Sequence, residues 1–229
     1  MSSIAAARPA QRVSFLARYS RQALAGSGFV MLGFVVLHMG GNLLAFAGSA
    51  TFNAYARSIR ELGAPTLGDS TVLLAVRVLL AAALAVHVLA HLVLQRQPNE
   101  TQFTTVTPPW YATLPVSVLQ ATGGVIALFL VLHLAQLTIG AANPTFVVSD
   151  PYDNLLATLR FWPVAIAYML AATAVGVHLF AGTWTGMASL GLIGPRTEQL
   201  AAIVAPAVAL VVTIGMSAVP VAVLSGVVS

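Results

Sequence analysis

Five apolar runs, each long enough to cross a bilayer, are separated by short polar segments along these 229 residues. A helix needs about 20 mostly apolar residues to span the hydrocarbon core. Helices and closed barrels are the structures that satisfy their own backbone groups in lipid. We therefore expect five transmembrane helices, spans I to V, within a single all-α domain over residues 1–229. The expected spans are about 25–48, 72–95, 112–140, 160–188 and 200–227, and residues 141–158, between spans III and IV, are expected to form a loop.

Composition excludes several classes of protein. The chain is 59% hydrophobic and only 7% charged, whereas a soluble domain carries about 25% charged residues. It contains no cysteine, which excludes disulfides and clusters held by cysteine thiolates. The basic balance comes from ten arginines with no lysine. These arginines are spread over several polar segments, so they form no basic face for nucleic acid.

The distribution of arginine predicts the orientation in the membrane. Six arginines fall on the side of the N-terminus, and four of them precede span I, whose flank usually dominates. We expect the N-terminus inside, in the cytoplasm, and the C-terminus outside. The six are Arg8, Arg12, Arg18, Arg21, Arg96 and Arg196; the other side has Arg57, Arg60, Arg77 and Arg160 with four acidic residues.

All five histidines lie inside expected spans. Span I reads Ser27, Gly28, nine mostly apolar residues and His38, and span III repeats this order from Thr122 and Gly123 to His133. Span II carries His87 and His91, and span IV carries His178. Ionisable residues inside a membrane are costly and mark functional sites. The null alternative for each single histidine is a hydrogen-bonded packing residue.

The depths of the histidines sort them into two pairs. With a rise of about 1.5 Å per residue, His38 lies about 20 Å from the inner edge, and His87 and His178 lie about 12 and 14 Å from it. His133 lies late in span III, which runs outward, and shares the outer level with His38. The outer pair joins spans I and III, and the inner pair joins spans II and IV. This arrangement predicts that spans I to IV form a four-helix bundle with its sites in the interior.

Two histidines at one level, with no carboxylate in the spans, indicate a shared metal partner. Imidazole is a standard axial ligand of haem iron, and two imidazoles saturate it. We expect two haems b, the outer on His38 and His133 and the inner on His87 and His178. A proton relay would also need carboxylates within the spans. His91 lies one turn from His87 and nearer the inner edge, which favours a propionate or headgroup contact and leaves His87 as the ligand.

Polar residues near each level are candidates for binding the propionates. Close packing of helices is the alternative role for Ser27, Thr122 and the glycines that follow them. The inner candidates are Ser20, Arg21, Gln22, Ser27, His91, Gln120 and Thr122, and the outer ones are Asn42, Arg57 and Arg60.

Four segments carry a resemblance to a known family. Span I ends in His38-Met-Gly-Gly-Asn42, and the following loop contains Phe52-Asn53-Ala-Tyr-Ala. Gln120-Ala-Thr-Gly precedes His133, and His178 begins the segment His-Leu-Phe-Ala-Gly-Thr-Trp. These patterns, in order over about residues 20–200, resemble the single-chain di-haem cytochrome b anchor of succinate:quinone and fumarate:quinone oxidoreductases.

The resemblance implies a function. The family's distal haem is held by spans I and III and its proximal haem by spans II and IV. It implies that a flavoprotein subunit with FAD oxidises succinate and that an iron–sulfur subunit passes electrons to this chain. The chain would transfer them to a quinone, menaquinone or ubiquinone, in the bacterial cell (inner) membrane. It would contribute the quinone site without acting on succinate itself.

Glu61 is the candidate for proton transfer at the quinone, because it lies near the outer level and the family has a functional carboxylate nearby. The alternative is an ordinary loop glutamate paired with Arg57 or Arg60. Three rival functions remain: a small transporter, another di-haem transmembrane reductase, and an anchor subunit that has lost its haems. The Asn42 and Phe52-Asn53 patterns argue against the second, and four retained ligands argue against the third.

Overall fold

The structure is a computed structural model that describes residues 15–96 and 107–229. It is 80% helical, with no strand in the described residues. The α-helices are α1 Phe15–Leu43, α2 Ser49–Glu61, α3 Thr71–Gln95, α4 Val116–Leu134, α5 Pro151–Arg160, α6 Trp162–Ser189 and α7 Glu198–Leu224. Short 3₁₀ turns cover Leu44–Ala47 and Trp110–Thr113, and a π-helical turn covers Ala135–Ile139.

Five of these helices are long and apolar enough to cross a membrane, as the sequence predicts. They are α1, α3, α4, α6 and α7, which correspond to spans I to V. The main differences lie at two starts. The helix of span I begins at Phe15 rather than near residue 25, and that of span III begins at Val116 rather than near 112. Pro115 is the extended N-cap residue, with ψ 141°, where a proline costs no hydrogen bond inside the helix.

One helix contradicts the sequence prediction. Residues 141–158 were expected to form a loop, but α5 occupies Pro151–Arg160. Asp150 is its N-cap, and a carboxylate oxygen of Asp150 accepts a hydrogen bond from the backbone N–H of Asp153 at 3.2 Å. A capping aspartate followed by proline at the first helical position is a strong start signal. The loop prediction is therefore wrong, because Asp150 and Pro151 together start a helix.

The helices that cross the membrane pack in an open ring. Helix α1 packs on α3 and α6, and α4 packs on α6, while α7 packs against α6 and α1. The most extensive seam is between α6 and α7, where a side chain at Gly176 would collide with the side chain of Thr213. Small residues let helices approach closely where lipid gives no hydrophobic driving force. Helices α1, α3, α4 and α6 therefore form the bundle, and α7 supports it from one side.

Two apolar clusters mark the two ends of the bundle. The upper end carries α2, α5 and the C-terminus, which meet around the buried Leu156 and Leu159. The lower end carries Tyr111, Trp184 and Ala205 in a separate cluster. In the orientation predicted from arginine, the upper end is the outer one. These clusters tie the ends of the helices together and leave the histidines between them.

Candidate functional site

The histidines lie in two pairs, each bridging two helices that do not pack on one another. His38 of α1 faces His133 of α4, and His87 of α3 faces His178 of α6. Going around the ring in the order α3, α1, α6, α4, these pairs span the two diagonals. We call His38 and His133 the upper pair, and His87 and His178 the lower pair. The structure thus brings together the same partners that the depth estimate paired.

The upper pair is surrounded by aromatic rings. The centroids of the His38 and His133 rings are 5.7 Å apart, with an interplanar angle of 83°. Phe34 stacks on His38 at 5.3 Å, and Phe129 and Tyr168 flank His133 at 5.7 and 5.9 Å. The Nδ1 atom of His133 is buried without a hydrogen-bond partner among the described residues. Ring packing therefore holds this pair.

The lower pair is held by hydrogen bonds. Its ring centroids are 6.2 Å apart, and Nδ1 of His87 lies 3.1 Å from the carbonyl oxygen of Leu24 and 3.3 Å from Oγ of Ser27. A carbonyl oxygen can only accept, so Nδ1 of His87 carries the proton. The Ser27 hydroxyl donates to the carbonyl of Ala23 at 2.7 Å and presents a lone pair to the same N–H. The Nε2 lone pair of His87 is left free to bind a metal.

The second histidine of the lower pair repeats this arrangement on α4. Nδ1 of His178 lies 3.2 Å from Oγ1 of Thr122 and bonds to the backbone of Leu119. Thr122 in turn donates to the carbonyl of Val118 at 2.8 Å. Histidines that bind metals usually donate their second N–H to a backbone carbonyl or similar acceptor, which fixes the ring and its tautomer. Both lower histidines have that support.

The glycines of the repeated segments lie against the same two rings. A methyl group added at Gly28 would lie 3.4 Å from Cε1 of His87, and one added at Gly123 would lie 3.6 Å from Cε1 of His178. The hydroxyl residue and the glycine that begin each repeat therefore contact a histidine of a neighbouring helix. Each repeat also carries one histidine of the upper pair, His38 or His133. The sequence shows the repeat, but only the structure shows which histidine ring each repeat contacts.

The repeats also set the spacing of the two pairs. His38 follows Ser27 by eleven residues, and His133 follows Thr122 by eleven. At about 1.5 Å per residue, the upper pair lies about 16 Å above the lower pair on both α1 and α4. The distance between the two pairs is the same on α1 and on α4, because the hydroxyl of each repeat contacts a histidine of the lower pair. The pairs are therefore two separate levels within one bundle.

These residues fit a haem at each level. Two metal–imidazole bonds of about 2 Å in line would separate the ring centroids by about 6 Å, which agrees with 5.7 and 6.2 Å. No cluster of three or more histidine, cysteine or acidic residues occurs in the described part of the chain. Two facing imidazoles are too few for a protein-held zinc ion, which takes at least three protein ligands, but they suffice for a haem iron.

The remaining candidates have different surroundings. His91 hydrogen-bonds through Nε2 to Gln95, one turn along its own helix, at 2.7 Å, which leaves His87 as the residue facing His178. Gln120 is exposed and Asn42 half-buried, and neither side chain has a hydrogen bond within residues 15–96 and 107–229. Arg21 is half-buried at the lower end and does have a partner. Propionate binding by these residues stays a prediction.

Glu61 lies at the last residue of α2, exposed at the upper end. Its carboxylate makes no salt bridge with Arg57 or Arg60 within the described residues. Arg60 instead donates to the carbonyl oxygen of Val148 at 3.1 Å. The alternative of a paired loop glutamate is therefore not what the structure shows, and the role in proton transfer stays a prediction.

Asn53 has a structural role that sequence reasoning missed. Its amide nitrogen donates to the carboxylate of Asp150 at 2.8 Å, and its carbonyl oxygen accepts from the backbone N–H of Tyr152 at 3.0 Å. The adjacent Phe52 contacts the ring of Tyr152 at 5.9 Å. The Phe52-Asn53 step therefore fastens α2 to the start of α5. The signal was present in the sequence, but it required knowledge of α5.

Neither the protein-family models, nor the curated proteins, nor the solved structures contain a match to this chain.

Proposed function

We propose that this chain is the membrane-anchor cytochrome b subunit of a succinate:quinone oxidoreductase. It would pass electrons between an iron–sulfur subunit and a membrane quinone. The observation that supports this most is the pair of facing histidines on each diagonal of the bundle, about 16 Å apart along the membrane normal. Four separate helices contribute one ring each, which a packing role for single histidines does not require.

The four histidines would hold two haems b, and haem supplies reversible one-electron transfer when it is bound. His87 and His178 would hold the lower one and His38 and His133 the upper one. With two imidazoles on each iron, no position would be left for a substrate, so the chain would limit these sites to electron transfer. Ser27 and Thr122 orient the lower rings through their Nδ1 atoms.

The partners follow from what the chain itself lacks and from the family it resembles. Without cysteine it cannot hold an iron–sulfur cluster through thiolates, so a separate iron–sulfur subunit would supply electrons. A flavoprotein subunit with FAD would oxidise succinate. With the N-terminus in the cytoplasm, both would dock at the lower end, on the inner face of the bacterial cell membrane. The quinone would bind near the upper end, where Glu61 could exchange its protons.

The first experiment is a reduced-minus-oxidised absorption spectrum of the chain purified with its partners from membranes. The expected result is the α band of low-spin haem b and two haems per chain. A preparation without haem would refute the proposal and return the transporter or the haem-free anchor to first place. Co-purification of a flavoprotein and an iron–sulfur protein then tests the physiological role.

A second candidate is another di-haem transmembrane cytochrome reductase, which the four ligands favour equally. It differs in its partners, because such a protein works without a succinate-oxidising flavoprotein. Two haems per chain with no co-purifying dehydrogenase would select it. A transporter is less well supported, because α1, α3, α4 and α6 contain no acidic residue, whereas ion-coupled transport usually uses acids within the spans.

A further inference from the structure

A cavity of about 360 Å³ opens at the upper end between the start of α3 and the end of α4. Its apolar wall includes Leu73 and Leu137, and two guanidinium groups, those of Arg60 and Arg77, line it. No acidic side chain is among the lining residues. Two cations facing one partly apolar space form a site for an anionic group attached to an apolar body.

Of the two arginines that line the cavity, Arg77 is the unusual one, because it belongs to a membrane-crossing helix. It lies six residues inside α3, about 9 Å from the first residue of the span. It also shares a helical face with His87, since the series 73, 77, 80, 84, 87 alternates steps of four and three. That face carries a ligand of the lower pair, so Arg77 is on the bundle side of α3 rather than on a purely lipid-facing side.

The level of Arg77 matches that of the upper pair. The hydrogen bonds of His87 to Leu24 and Ser27 fix the register between α3 and α1. Ten residues separate Arg77 from His87, so Arg77 lies about 15 Å above the lower pair. The upper pair lies about 16 Å above it by the same measure. The two levels agree within one residue of helix.

No group within the described residues neutralises Arg77. Its side chain has neither a hydrogen bond nor an ion pair with another residue in the ranges 15–96 and 107–229. The four bundle helices contain no acid that could reach it. A charged residue at membrane depth normally has a partner or lines a polar space. The chemistry therefore calls for an anion supplied by a bound molecule.

Arg60 completes the site from α2. It donates from Nη2 to the carbonyl oxygen of Val148 at 3.1 Å, which fixes one edge of its guanidinium at the cavity. A guanidinium has five N–H donors in a planar fork, so the others stay available to an oxygen anion. The two arginines come from separate elements, and the cavity is where they meet.

We propose that Arg77, assisted by Arg60, binds the propionate carboxylates of the haem held by His38 and His133. This rests on the proposed function. A carboxylate suits the bidentate fork of arginine, and the level of Arg77 is that of the upper histidines. The phosphate of a lipid belongs at the membrane surface, so it fits Arg60 alone better than both arginines.

The test uses the complex purified from membranes, with Arg77→Gln, the charge-preserving Arg77→Lys, and the control Arg160→Gln. Arg160 is an exposed arginine at the end of α5 that does not line the cavity. The readout is a redox titration followed by absorption, with the upper haem identified in a His178→Ala background. Arg77→Gln should lower the midpoint potential of the upper haem only, because losing a nearby cation disfavours the reduced, more negative form. Arg77→Lys should restore part of the lost potential, and Arg160→Gln should leave both potentials unchanged.

Unchanged potentials and haem content in Arg77→Gln would overturn the proposal. If that variant instead loses a co-purifying anionic phospholipid, measured by mass spectrometry, with both potentials unchanged, the cavity is a lipid site and the proposal is wrong. Loss of the upper haem from Arg77→Gln, with retention in Arg77→Lys, would support it. A wild-type complex without haem would refute the proposed function itself, and this is seen before any variant is compared.

Discussion

The upper and lower histidine pairs have the same chemistry but are held in different ways. Hydroxyl and carbonyl oxygens of the neighbouring helices orient both lower rings through Nδ1. Around the upper pair, aromatic rings supply the contacts, and Nδ1 of His133 has no hydrogen-bond partner among the described residues. A hydrogen bond fixes a tautomer and a direction, whereas ring packing fixes mainly a position. The lower site is therefore more sensitive to local polar changes, and the upper site to the packing of the end of the bundle.

Under the proposed function, the largest effect should come from removing one of the four histidines that would hold a haem. His178→Ala should abolish the lower haem and leave the upper one, halving the haem content per chain, because one imidazole of a bis-imidazole site is lost. A haem assay combined with the difference spectrum measures this. His91→Ala is the matched control, since His91 contacts Gln95 rather than the facing ring, and it should keep both haems. The assignment is wrong if His91→Ala loses a haem and His178→Ala does not.

The next prediction tests the close contact between Gly28 and the ring of His87. Gly28→Val should weaken the lower haem by about 1–3 kcal/mol, the usual cost of overpacking, because even its first carbon would lie 3.4 Å from the His87 ring. The rate of haem loss from the lower site measures it. Gly33→Val, in the same helix with open space around it, should change neither site. Equal losses from both sites in Gly28→Val would mean that α1 is damaged as a whole.

A smaller change should follow removal of the hydroxyl alone. Ser27→Ala should weaken the lower haem by about 1 kcal/mol, roughly fivefold, the typical contribution of one hydrogen bond. The effect is limited because the Leu24 carbonyl still accepts from Nδ1 of His87. Haem affinity measured by transfer to an apo-acceptor gives the value. Thr173→Val removes a similar backbone-bonded hydroxyl without a histidine contact, so it should have no effect; a larger loss at the upper site would contradict the comparison.

The smallest effect should be on the pH at which acid releases the upper haem, and it depends on the ionisation of Asp150. The amide of Asn53 and then the N–H of Asp153 lower the pKa of Asp150. A lowered pKa means that the folded protein favours the ionised carboxylate. The resulting stability is present above the ordinary carboxyl pKa of about 3.9 and is lost as pH falls through the lowered value.

Because Asp150 and Asn53 fasten α2 to α5 at the upper end, Asn53→Ala should release the upper haem at a higher pH than wild type during acid titration. The release of the lower haem should be unchanged. Absorbance of the two haems, followed below about pH 5, measures the difference. Asp69→Asn, in the exposed loop before α3, serves as the control. An equal shift in the pH of release for both haems would show that the contact between Asn53 and Asp150 has no local effect on the upper pair.

Much of the fold could be predicted because the bilayer simplifies the problem. Long apolar runs must be helices when no water is present to satisfy their backbone groups, and the fixed rise per residue converts sequence position into depth. The starts of spans I and III and the whole of α5 were less predictable. They depend on local caps, prolines and packing at the membrane surface, where water again competes for the backbone.

The candidate site also has features that the sequence determines and features that only the tertiary structure decides. Sequence alone determined that the chain has five spans, that the histidines fall at two levels, and that a hydroxyl–glycine step precedes His38 and His133 by a fixed distance. These are one-dimensional properties that a helix transmits directly. Only the tertiary structure decided that each step seats a histidine of another helix, that Asn53 clamps α5, and that Arg77 reaches the level of the upper pair inside a cavity. Rotation and register between neighbouring helices decide these contacts, and packing of small residues sets both.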